Sequence, residues 1–186
     1  MIKVQTNSNV YDDVFRTLVV DCSHLLIPII NEAFGEHYTG KEEIVFRQNE
    51  HFLRQQGPHE QKRISDSSFQ IIGLVSKSYL LECQSKPDSS LLVRIFEYIT
   101  QTALDEGEVT SNRLLVEIPN AAILFLRSTS NTPDRMTIEM HTPGGTVSFD
   151  VQILKMVNYS LDTIFEKKLY FLIPFYIFLY RNSSPS

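Results

Sequence analysis

The sequence predicts a mixed α/β fold in a single domain spanning residues 1–186, and three observations carry that reading. Helical and extended apolar spacings follow one another in the order helix, strands, helix, strands, as a layered α/β plan requires. At 42% hydrophobic and 21% charged residues, the chain has the means to bury a sizeable core. Its seven Gly and eight Pro show no period, which excludes repetitive and low-complexity classes.

The first element begins after Ser8 or Asn9, either of which can cap a helix whose first turn carries Asp12 and Asp13. Phe15, Leu18, Val19, Cys22, Leu25, Leu26, Ile29 and Ile30 keep helical spacing, and Gly35 is a natural stop. Pro28 lacks an amide donor, so residues 10–34 read as one broken helix or two. Residues 44–52 are extended but polar, and Gly57-Pro58 marks a loop. Residues 63–72 and 78–86 read as strands joined through Gly73.

Asp88 or Ser89 then starts a helix with an apolar stripe of Leu91, Leu92, Ile95, Phe96, Ile99 and Ala103, ended by Gly107. Strands follow at 114–116, 121–127, 136–141 and 147–156, with Pro143-Gly144-Gly145 as a tight hairpin turn. A short helix covers 161–168. The apolar run 169–180, broken by Pro174, is shorter than the ~20 residues of a helical membrane span and predicts a buried element. So apolar a segment near the last residue also leads us to expect that the natural chain is longer, or that the segment joins copies into a homo-oligomer.

Composition narrows the function. Cys22 and Cys83 are too few for a disulfide scaffold or a Cys-based zinc site, and a reducing cytoplasm is the simplest compartment. The net charge of −5 argues against coating nucleic acid by bulk charge but leaves room for a local basic groove, for which Arg47, Arg54, Lys62 and Arg63 are the candidates. The five histidines lack the spacing of a zinc site. Gly144-Gly145 lacks the Lys and Ser/Thr of a phosphate loop, and there is no nucleophile elbow.

The informative region is acidic. A hairpin turning within 73–77 sets Asp66 opposite Gln84 and Ser68 opposite Glu82, bringing Asp66, Glu82 and Gln84 onto one sheet face. Converging carboxylates repel unless a cation lies between them, and an all-oxygen set suits Mg²⁺ or Mn²⁺. On spacing alone, two solvated carboxylates at a sheet edge are the stronger reading. Arg94, Tyr98 and Gln101 recur along one face of the following helix, opposite the apolar stripe. Arg94 there suits a phosphate, or an ion pair with Asp88 or Glu97. Cys83, between Glu82 and Gln84, should face the core as a small apolar filler.

The runs Ile64-Ser65-Asp66-Ser67-Ser68-Phe69, Leu81-Glu82-Cys83-Gln84-Ser85-Lys86-Pro87-Asp88 and Arg94-Ile95-Phe96-Glu97-Tyr98 resemble the PD-(D/E)xK nuclease superfamily, and within it the bacterial transposase-like, recombination-promoting branch. The resemblance extends from about residue 10 over most of the chain, taking in Asn131-Thr132-Pro133-Asp134 and the Phe165–Phe175 stretch. It implies a restriction-endonuclease-like αβββαβ core with a mixed central sheet, and a Mg²⁺- or Mn²⁺-dependent endonuclease acting on DNA. Asp66 and Glu82 match the metal-binding acids. Glu32 is the best match for a third ligand from the first helix, ahead of Glu36. Arg94 and Tyr98 would support phosphate or the metal ligands. Gln84 stands where many relatives carry Lys, so it can position water or phosphate but supplies no positive charge. A catalytically degenerate module that binds DNA or assembles with protein is the alternative.

Overall fold

A computed structural model describes residues 9–46, 66–85 and 88–181, with the backbone alone at Asn9, Asp66, Ser67 and 178–181. Strand expectations at 47–52 and 63–65, and the basic residues Arg47, Arg54, Lys62 and Arg63, lie outside the described residues.

The opening helical region is two helices, α1 (Asn9–Asp21) and α2 (Leu26–Phe34), joined by a 3-10 turn at Ser23–Leu25. The break precedes Pro28. In the first turn of α2 an amide has no intrahelical acceptor, so a proline there costs little. Gly35 ends α2 in the left-handed conformation (φ 66°), its amide donating to the Asn31 carbonyl.

Strand β1 (Glu43–Phe46) is followed by the hairpin of β2 (Asp66–Ile72) and β3 (Lys77–Gln84). Helix α3 (Leu91–Asp105) leads to a small ribbon of β4 (Glu108–Val109) and β5 (Leu114–Leu115). Then come β6 (Asn120–Phe125), β7 (Met136–Thr142) and β8 (Gly145–Lys155), and finally α4 (Leu161–Glu166) and α5 (Ile173–Arg181). Among the described residues, six strands form one mixed sheet in the order β1-β2-β3-β6-β8-β7. The pairs β3/β6 and β6/β8 are parallel; the others are antiparallel. A parallel neighbour needs a crossover, and α3 lies in the one between β3 and β6.

Alternation along the central strands makes two cores. Tyr79, Leu81 and Cys83 of β3 and Ala122 and Leu124 of β6 pack with Phe15, Ile27 and Ile30 of α1 and α2. Leu80 of β3 and Ala121, Ile123 and Phe125 of β6 pack with Leu91, Ile95 and Ile99 of α3. The apolar run near the end is buried in part: Leu169, Phe171, Leu172 and Phe175 join the first core, while Tyr170 and Ile177 are exposed. Pro174 stands in the first turn of α5, again where its missing amide is harmless.

The hairpin register differs from expectation by two residues. Asp66 pairs with Glu82 and Ser68 with Leu80, because the turn is centred one residue earlier, with Leu74 and Val75 at its exposed tip. A slip of one would have turned every apolar side chain to the wrong face; a slip of two preserves the faces, so hydrophobic pattern alone does not resist it.

Candidate functional site

The region around Glu82 is built from β2, β3 and the first half of α3. Backbone pairing sets positions 66 and 82 directly opposite, and position 84 follows on the same face of β3. Asp66, Glu82 and Gln84 therefore share the face covered by α3. Its side chain being outside the described set, Asp66 is placed by its backbone alone.

Glu82 is 1% exposed. Its Oε1 accepts from Arg94 Nη2 at 2.8 Å, and its Oε2 is buried without a hydrogen-bond partner among the described residues. The other guanidinium nitrogen of Arg94, Nη1, donates to Asp88 Oδ2 at 2.5 Å. Asp88 in turn receives the Ser90 amide and hydroxyl on Oδ1 at 2.8 and 2.7 Å. The Ser90 hydroxyl, its amide and Arg94 hold the Asp88 carboxyl below the usual range. One arginine thus spans a buried and a half-exposed carboxylate.

This placement corrects the expected arrangement of α3. Arg94 and Tyr98 are half-buried on the flank of the apolar stripe, and Tyr98 packs against the second core. Long side chains on a helix lean back toward its N-terminus, which carries Arg94 toward Asp88 and the end of β3. Gln101, as partly buried as the other two, donates to Asp105 at 2.8 Å.

A seam of polar contacts runs on from there between α3 and the hairpin. Thr102 Oγ1 lies 3.4 Å from Ser68 Oγ, and Ser78 donates to Glu106 Oε2 at 3.1 Å. Ser68, Glu82 and Thr102 are the buried polar or charged residues among those described, and all three are on this face. Only the spacing of Arg94, Tyr98 and Gln101 hinted at it; Thr102 and Glu106 lie within the apolar register of α3 and gave no separate signal.

Glu32 is not brought to Glu82. It belongs to α2, in the helical layer on the other face, where both its oxygens accept from Lys167 at 2.8 and 2.9 Å and one from Tyr159 at 3.3 Å. There it borders a groove of about 380 Å³ with Asn31, Tyr38, Lys167 and Lys168. Glu36 is on that side too, bound to Lys77 at 2.5 Å and to the Tyr79 hydroxyl at 3.4 Å. The Tyr79 hydroxyl also meets that of Tyr38 at 2.8 Å, and burial pushes its ionisation well up. A helix's side of the sheet is not encoded in its own apolar spacing, so nothing in the sequence separates Glu32 from Asp66 and Glu82.

Cys83 faces the first core as expected, and burial, with Asp12 nearby, raises its thiol far above the usual range. It is a filler and no nucleophile. Among the described residues, no group of three or more His, Cys, Asp or Glu side chains is arranged to hold a metal ion. No described helix is long and apolar enough to cross a membrane. No protein-family model, curated protein or solved structure matches the chain.

Proposed function

We propose that this chain is a Mg²⁺- or Mn²⁺-dependent nuclease that hydrolyses DNA phosphodiesters, as its resemblance to the transposase-like PD-(D/E)xK nucleases implies. Two features of the fold support the reading. The elements α2, β1, β2, β3, α3 and β6 follow the αβββαβ order of that superfamily. The hairpin register sets Asp66 opposite Glu82. The observation that carries the proposal is the buried Oε2 of Glu82, which has no partner among the described residues. A buried acceptor left unpaired is costly, and a hard dication is a fitting partner.

Asp66 and Glu82 would hold the ion, with Gln84 beside them on the same strand face. Glu32 and Glu36, in the opposite layer, do not fit that set. The ion would supply positive charge against the phosphate and a more acidic bound water. Gln84 would orient phosphate or water through neutral hydrogen bonds, and Tyr98 would wall the α3 side. With a net charge of −5, binding to DNA should weaken steeply with salt.

The test is nicking of supercoiled plasmid with and without Mn²⁺. Cleavage that needs the metal and is lost in Asp66→Ala and Glu82→Gln is the expected result. Metal-dependent cleavage that survives Asp66→Ala ends the assignment.

A second reading has its own observation. Arg94 already neutralises Glu82, and position 84 offers no cation. A degenerate nuclease fold serving DNA binding or assembly would keep that ion pair as structure. It predicts a DNA mobility shift with no cleavage in any divalent metal.

A further inference from the structure

We infer that Arg94 and a divalent cation compete for Glu82, so that Arg94 acts as a built-in antagonist of metal binding. The inference rests on the metal-site reading above and adds to it a regulatory role for one side chain.

The two oxygens of Glu82 are not equivalent. Oε1 is occupied by Arg94 Nη2 at 2.8 Å, whereas Oε2 is buried and unpartnered among the described residues. A guanidinium can satisfy both oxygens of a carboxylate through two parallel hydrogen bonds. Arg94 does not do so here, because its second nitrogen is committed to Asp88 at 2.5 Å. The pairing is therefore half-made. It neutralises the carboxylate's charge but leaves an acceptor site that only a further donor or a cation can fill.

The two ends of the bridge differ in burial. The Glu82 side chain is 2% exposed, while those of Arg94 and Asp88 are 23% and 24% exposed. Arg94 can thus leave Glu82 toward solvent without giving up Asp88, which Ser90 holds fixed. A guanidinium kept on Oε1 and a dication placed on Oε2 would lie across one buried carboxylate, and like charges repel strongly where little water screens them, so each weakens the other's hold. Metal on Glu82 and Arg94 on Glu82 then compete, and binding of the ion favours the state in which Arg94 has let go. In the metal-bound state Arg94 is released at the mouth of the site, where a phosphate would meet it.

Calorimetric titration of Mn²⁺ into the full chain tests this, with Arg94→Met, Arg94→Lys and Glu82→Gln alongside. Arg94→Met should bind Mn²⁺ at least tenfold more tightly than the native chain, Arg94→Lys should fall between them, and Glu82→Gln should abolish binding. Binding that depends on Glu82 but is no tighter in either Arg94 variant overturns the competition and leaves the metal site standing. An absence of Glu82-dependent binding in every chain overturns both.

Should Arg94→Met fail to fold, the native chain answers through ¹⁵N-detected guanidinium resonances, assigned with Arg94→Lys. Saturating Mg²⁺ should shift or broaden the Arg94 signals, and an Arg94 spectrum unmoved when Glu82 is metal-bound overturns the proposal.

Discussion

The two faces of β3 differ in what they bury. Toward α1 and α2 it presents Tyr79, Leu81 and Cys83, packed among Phe15, Ile27, Ile30 and Phe69. Its one buried polar end on that side, the Tyr79 hydroxyl, is met by Tyr38. Toward α3 it presents Leu80 and Glu82, with Ser68, Thr102 and Arg94 around them. Burying a carboxylate beside apolar Ile95 and Ile123 is unfavourable, and removing such a pair in favour of hydrocarbon is often neutral or better. The α3 face carries a buried charge, whereas the buried polar atom that β3 presents on the reverse is a neutral hydroxyl. That asymmetry separates a face built by packing alone from the face on which the proposed site lies.

Truncation on the apolar face should have the largest effect and be beyond repair by any partner change. Leu81 is fully buried between the sheet and the helices, so Leu81→Ala should cost about 3 kcal/mol, a lost transfer energy plus a cavity. Urea denaturation measures it; a loss under about 1 kcal/mol would mean that this face repacks freely and that the two faces do not differ in this way.

On the α3 face a comparable loss should be recoverable. Arg94→Met leaves Glu82 buried and unpaired and should cost about 2–3 kcal/mol, below the usual range for a broken buried pair because Arg94 is partly exposed. Combining it with Glu82→Leu should restore most of that stability. A double variant no more stable than the single one would show that the pair is a true contributor to the fold, which strengthens the degenerate-module reading at the expense of the nuclease.

How far the sequence makes this face legible can be judged residue by residue. The apolar stripe of α3 and the alternation of β2 and β3 follow from spacing, so the second core is readable from the sequence alone. Glu82 is readable as a site candidate, but its burial is not, because burial depends on where α3 crosses the sheet. The pairing expected for Asp66 was off by two residues, since only the turn distinguishes registers that share a face. Strand β5 (Leu114–Leu115) lies within the strand expected at 114–116, whereas its partner β4, two residues of Glu and Val after a glycine, is too short for any periodicity to announce. Glu32 was misgrouped because its side of the sheet depends on tertiary docking, and its ion pair with Lys167 joins segments far apart in sequence.

Acid should sharpen the contrast further. The Asp88 carboxyl is held below its ordinary value of 3.8 by the Ser90 hydroxyl and amide and by Arg94. A depressed folded pKa gives stability that is fully present above the unfolded value and is lost as pH falls through the folded one. The native chain should therefore lose thermal stability more steeply than Asp88→Asn below about pH 4, the two curves drawing together as the carboxyl protonates. Parallel curves across that range would remove Asp88 from the bridge. Since Asp88 anchors the outer end of Arg94, the same variant should leave the apolar face untouched, with Leu81→Ala costing as much on either background.

The smallest expected effect lies on the α1/α2 side, at the end of α4. Lys168 has φ 57°, the left-handed conformation that glycine adopts freely. The local hydrogen bonds explain why the chain holds it there. The Leu169 amide donates to the Ile164 carbonyl at 2.8 Å and the Lys168 amide to Phe165 at 3.2 Å, a Schellman closure with Ile164 and Leu169 both buried beneath it. A β-carbon at that position costs about 1 kcal/mol relative to glycine. Lys168→Gly should therefore raise stability by about 0.5–1 kcal/mol, read as a higher urea midpoint at unchanged slope. Lys168 also borders the groove beside Glu32. If that groove takes no part in function, the variant should nick plasmid as the native chain does; a stabilised protein with weakened nicking would move part of the chemistry to the face otherwise given over to packing.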